Sequence, residues 1–100
     1  MKKKLHILII EDGKSQREML RDFLLKEGHT VAEADHGNAG IARVLAGHFD
    51  LILLDYKMPG MDGMEVLKEI KNINPEIDVV IVTAYGTIET AVEAMKAGAI

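Results

Sequence analysis

The sequence predicts an α/β fold, a doubly wound parallel sheet with helices on both faces. Three observations carry that prediction. The apolar runs Leu5-His6-Ile7-Leu8-Ile9-Ile10, Leu51-Ile52-Leu53-Leu54 and Val79-Val80-Ile81-Val82 are near-continuous rather than alternating, as in strands buried on both faces. Segments with apolar residues at helical spacing lie between them, so strand and helix alternate along the chain. Each run also ends in a carboxylate or hydroxyl: Glu11-Asp12, Asp55 and Thr83.

Taken in order, the first strand covers residues 5–10. The first helix opens at Ser15-Gln16-Arg17-Glu18, a capping-box pattern in which the serine oxygen takes a first-turn N–H and the glutamate reaches back to the serine's own. Met19, Leu20, Phe23 and Leu24 form its apolar stripe, and Gly28 stops it. The second strand covers residues 30–34, and the second helix runs over about 38–46 with Gly47 after it. The third strand covers residues 51–54. A loop, Tyr56-Lys57-Met58-Pro59-Gly60-Met61, leads to a third helix with Asp62 near its N-terminus and Val66, Leu67 and Ile70 facing inward. Pro75 punctuates the next loop, the fourth strand covers residues 79–83, and a fourth helix over about 87–97 is closed by Gly98. Right-handed crossovers place the helices on both faces. The arrangement is flavodoxin-like.

One hundred residues suit a single domain with one core. With no Trp, that core is built from Ile, Leu, Val, Ala and Met. A formal charge of −4 argues against nucleic-acid binding by this segment, because a phosphate-tracking surface is basic. Without cysteine there is neither a disulfide framework nor a thiolate metal site. Lys2-Lys3-Lys4 followed by an apolar run superficially suggests a signal peptide, but the run is too short and ends in Glu11-Asp12. No segment approaches the roughly 20 apolar residues of a membrane span. A cytoplasmic chain with no membrane partner is the expectation. His6, His29, His36 and His48 stand at no metal-ligand spacing, and strand or surface positions account for them.

In parallel sheets, ligand sites lie beyond the carboxyl ends of the strands. Glu11, Asp12, Asp55 and Thr83 should therefore meet at one edge. Three carboxylates held close repel one another, and a small hard cation with oxygen ligands resolves that conflict. Mg²⁺ accepts one or two carboxylates, keeps several waters and leaves room for a phosphate oxygen. The absence of neighbouring His or Cys disfavours a transition metal. Asp55 can then act as a nucleophile towards phosphorus, in a transfer governed by positioning and charge neutralisation. Thr83 can donate its hydroxyl to a phosphoryl oxygen, and Ala84 keeps the approach open. Taken singly, each feature has a plainer explanation: an adjacent Glu-Asp pair is a solvated loop, and Thr83 a strand-end hydroxyl. Met58, Met61 and Met64 are packing residues, Pro59 and Gly60 shape a turn, and Asp35, Asp50 and Asp78 flank strands.

Ile9-Ile10-Glu11-Asp12, Leu53-Leu54-Asp55-Tyr56-Lys57-Met58-Pro59-Gly60-Met61-Asp62-Gly63 and Val82-Thr83-Ala84 together resemble the receiver domain of two-component response regulators. The resemblance covers residues 1–100 in the right order and spacing. It implies a flavodoxin-like receiver fold with strand order 2-1-3-4. It also implies that Glu11, Asp12 and Asp55 hold Mg²⁺ with the backbone carbonyl of Lys57. Asp55 would be the phosphoacceptor for a sensor histidine kinase or phosphotransfer domain, and Thr83 the switch hydroxyl that reports the phosphoryl group. The stretch from Thr83 to Ala91 further resembles receivers of the nitrogen-regulator type, which usually precede an ATPase module and a DNA-binding effector domain. In receivers the surface around the fourth helix, with Ile88, Ala91, Val92 and Met95 on its sheet side, meets partners after a shift between two existing states.

The family pattern also includes a fifth strand and helix, carrying a lysine and an aromatic, which would lie beyond Ile100. Lys96 sits in the fourth helix and is no replacement. Two alternatives stay open: the protein continues past Ile100, or it ends there with the fourth strand as an unprotected edge. The second would expose the stripe around Phe23 and favour a homodimer or strand exchange. Two other functions compete with the switch. A haloacid-dehalogenase-type hydrolase needs a second acid two residues after the nucleophile, where this chain has Lys57, so no enzyme activity is expected. A phosphorylation-independent interaction module would keep the fold alone.

Tyr85, two residues beyond the switch threonine, and Lys57 flank the path of the hydrolytic water in receivers. A bulky Tyr85 should shield that path and slow self-dephosphorylation. Tyr85→Ala is expected to shorten the lifetime of the phosphorylated chain; an unchanged decay rate by intact-protein mass spectrometry would refute the shielding.

Overall fold

The apolar runs pair into a four-stranded parallel sheet in the order β2-β1-β3-β4. A computed structural model describes residues 4–55 and 63–82. Its elements are β1 (His6–Ile10), α1 (Lys14–Lys26), β2 (Thr30–Ala34), α2 (Gly37–Ala46), β3 (Leu51–Asp55), α3 (Gly63–Ile73) and β4 (Asp78–Val82). The expected strand order is the observed one. The third strand gains Asp55, and the fourth begins at Asp78 rather than after it. The expected fourth helix, and the loop carrying Lys57, lie outside the described residues.

β1 is central, and Ile7, Leu8, Ile9 and Ile10 are all buried, which explains why its sequence does not alternate. Successive side chains point to opposite faces. Leu8 and Ile10 join Ile52, Leu54, Val66, Leu67, Ile70 and Val79 in one core beneath α2 and α3. Ile7 and Ile9 point to the other face, where α1 packs against β1 and β2. Each fully buried Ile, Leu or Val contributes about 1.5–3 kcal/mol relative to exposure. Val66, Leu67 and Ile70 turn inward as their spacing predicts.

Two expectations for the first helix are corrected. The capping box is not used: α1 starts at Lys14, its N-cap is Gly13, and no side chain caps it. Instead the Gly13 N–H donates to Glu11 Oε2 at 3.0 Å, and the Arg17 N–H opens the helical ladder on the Gly13 carbonyl at 2.8 Å. The strand-to-helix turn is thus set by the acid loop upstream, which leaves Ser15 inside the first turn. The apolar stripe is also split. Leu20 and Leu24 are half-buried against the sheet, whereas Met19 and Phe23 are 64% and 60% exposed. Neighbouring residues on a helix lie about 100° apart, so one row meets the strands and the other points away.

Strand entries are pinned by polar groups at the amino edge. His29 Nδ1 accepts the Leu5 N–H at 3.0 Å, and Asp50 Oδ2 accepts the His6 N–H at 2.8 Å. Both residues thereby have structural partners, as expected for groups flanking strands. Gly28 ends the α1 region with φ +94°, a conformation that favours glycine. After α3, the Lys71 ammonium donates to the carbonyls of Pro75 and Ile77, and Asn74 Oδ1 takes the Glu76 N–H at 3.1 Å.

Helix α2 crosses β1 at Gly40, where a Cβ would stand 2.4 Å from Ile10 Cδ1 and 2.8 Å from its Cγ1. Ile10 is fully buried and stiff at its branched Cβ, so it cannot yield freely. Overpacking costs about 1–3 kcal/mol, against up to about 1 kcal/mol of helix propensity gained. Gly40→Ala should therefore lower the melting temperature by several degrees in a thermal denaturation; an unchanged or raised value would show that the crossing is looser than described.

Candidate metal centre

β1 and β3 run parallel with Ile10 opposite Leu54, so the residues that follow both strands emerge at the same edge. Glu11 extends β1 by one more sheet bond, its N–H donating to the Ala34 carbonyl at 3.0 Å. It is 4% exposed and is the one buried charged residue among the described residues. Asp12 follows at an exposed position, and half-buried Asp55 ends β3 opposite Val82. One carboxylate oxygen from each of Glu11, Asp12 and Asp55 lies within 4.8 Å of the other two.

Of the four residues expected to meet, the three carboxylates of Glu11, Asp12 and Asp55 come together. Thr83, Lys57 and Tyr85 fall outside the described residues. Two further residues at this edge were not found from the sequence. Arg17 reaches back from α1, its Nη1 donating to the Glu11 carbonyl at 3.0 Å, while its Nε pairs with Glu33 Oε1 of β2 at 3.3 Å. Arg21 holds the second Glu33 oxygen at 3.5 Å. Nothing in the spacing of Arg17 flags that contact, because it runs to a backbone atom. Beyond β2, a 2.6 Å hydrogen bond from His36 holds the Asp35 carboxyl below its usual value.

Two unit charges about 5 Å apart repel by about 1 kcal/mol in water and by a few kcal/mol at an effective dielectric near 20. A cation that joins a cluster of three carboxylates relieves that repulsion. Carboxylates are acceptor-only ligands, and no His or Cys accompanies them among the described residues. Oxygens about 2.1 Å from an octahedral Mg²⁺ lie about 3–4 Å apart, so this cluster needs only small side-chain adjustments to hold one. The donor set fits a hard divalent cation.

A family model for the response regulator receiver domain matches residues 7–100. The transcriptional regulatory protein ZraR of Salmonella typhimurium is 45% identical over 97 residues, covering 97% of this chain and 22% of that protein. The chain therefore spans about a fifth of the length of such relatives. Sporulation initiation phosphotransferase F of Bacillus subtilis is 40% identical over 94 residues, covering 94% of this chain and 76% of that protein. The crystal structure of a CheY-like receiver domain protein from Methanospirillum hungatei superposes with a TM-score of 0.92 at 31% identity, covering 97% of this chain and 78% of the other. Sheet order, acid cluster and family match agree: the chain belongs to the response regulator receiver domains of two-component systems, phosphorylation-controlled signalling switches.

Proposed function

We propose that Asp55 accepts a phosphoryl group from a sensor histidine kinase or a phosphotransfer domain, in a reaction that needs Mg²⁺ held by Glu11, Asp12, Asp55 and the Lys57 carbonyl. The observation that carries this is the convergence of three carboxylates within 4.8 Å at the carboxyl edge of a parallel sheet. Asp55, at the end of β3 and half-buried, combines a fixed backbone with access from outside.

An Asp55 carboxylate oxygen attacks phosphorus while the phosphorus–nitrogen bond of the donor phosphohistidine breaks. The imidazole leaves with the bonding pair and takes up a proton, and Asp55 is left as an acyl phosphate. Bound Mg²⁺ supplies neutralisation of the charge on the phosphoryl oxygens. Glu11 fixes one side of the site through the Gly13 N–H, and exposed Asp12 is the acid able to move with the ligand. Thr83 then donates its hydroxyl to a phosphoryl oxygen and biases two pre-existing states of the surface near the fourth helix.

The phosphoryl group stays on the chain, so the protein acts as a switch and not as an enzyme. Its output is an effector domain C-terminal to the receiver in a cytoplasmic regulator, a proposal supported by relatives such as ZraR that are named as transcriptional regulators.

Incubation with acetyl phosphate and MgCl₂ should add one phosphoryl group to the intact mass. Asp55→Asn, or EDTA in place of MgCl₂, should abolish the gain. A gain that persists in Asp55→Asn would sink the assignment of the acceptor, and one that persists in EDTA would sink the metal requirement.

A further inference from the structure

We infer that Arg17 is a positioning residue for the Mg²⁺ site, acting through the peptide that joins Glu11 to Asp12; this rests on the metal site proposed above. The Glu11 residue is held three ways. Its N–H is bonded to Ala34 of β2 at 3.0 Å, its side-chain Oε2 takes the Gly13 N–H at 3.0 Å, and its carbonyl takes Arg17 Nη1 at 3.0 Å. The third hold is the one that orients the Glu11–Asp12 peptide plane, and with it the direction in which exposed Asp12 leaves the chain.

Arg17 is suited to this because its guanidinium presents donors in a rigid fork. One arm spans to Glu33 of the neighbouring strand at 3.3 Å while the other reaches the Glu11 carbonyl. Its side chain is only 16% exposed, so the fork is packed in place rather than waving in solvent. A lysine ammonium at the same position has a single point of charge and cannot hold both partners with that geometry.

The two arms can be separated by substitution. Arg17→Met removes both contacts, whereas Glu33→Gln weakens the tether to β2 and leaves the carbonyl clasp. Groups that orient metal ligands typically change affinity about 10–100-fold when removed. Titration calorimetry with MgCl₂ on the 100-residue chain, with melting temperature measured in parallel, is expected to show affinity about tenfold weaker in Arg17→Met. Arg17→Lys should be intermediate, and Glu33→Gln should keep its affinity within about twofold even where its melting temperature falls. Equal affinity in Arg17→Met and the unaltered protein would overturn the positioning role while leaving the metal site standing. Affinity that tracks melting temperature across all three variants would overturn it in favour of a purely structural tether. Absence of Mg²⁺ binding by the unaltered protein would remove the metal site and this inference with it.

Discussion

Parallel pairing of β1 with β3, with Ile10 opposite Leu54, is the constraint on which the rest of the molecule depends. A slip of one residue would invert every side chain of β1 relative to the core, exchanging Leu8 and Ile10 for Ile7 and Ile9 beneath α2 and α3. The same slip would pull Glu11 out of line with Asp55. Burial of the central strand and assembly of the acid cluster are therefore one event. Apolar burial, at about 1.5–3 kcal/mol for each large core side chain and summed over the whole core, fixes the positions of carboxylates that repel one another by up to a few kcal/mol per pair.

The like charges are therefore held together by the backbone that carries them. The backbone ends of two buried strands set the spacing, Glu11 is tied by the Gly13 N–H, and Arg17 holds the intervening carbonyl. What remains is a three-carboxylate edge whose oxygens lie close enough together to hold a cation.

Much of this was legible in the residues. Continuous Ile/Leu/Val runs disclosed buried parallel strands because period-2 alternation is lost when both faces are covered. The acids at the ends of those runs disclosed the site, since the carboxyl edge is where loops meet. The first helix was less legible. Ser15 and Glu18 match a capping box by type and spacing, yet the turn leaving β1 is governed by Glu11 bonding the Gly13 N–H, a tertiary consequence of where β1 ends. Met19 and Phe23 match an inward stripe by period, but the periodicity of a single helix does not say how wide a strip its sheet will cover. Arg17 escaped notice because its partner is a carbonyl, which leaves no mark in the side-chain pattern.

The central physical claim is that the fold imposes repulsion on the Glu11, Asp12 and Asp55 carboxylates and that a divalent cation relieves it. Thermal unfolding of the unaltered chain and of Asp12→Asn, each in EDTA and in excess MgCl₂, tests it most directly. Removing one charge should raise the melting temperature in EDTA, and adding MgCl₂ should raise it strongly in the unaltered chain but little in Asp12→Asn, because only a bound cation stabilises the folded state. A lower melting temperature for Asp12→Asn in EDTA, or an undiminished rise with MgCl₂, would contradict it.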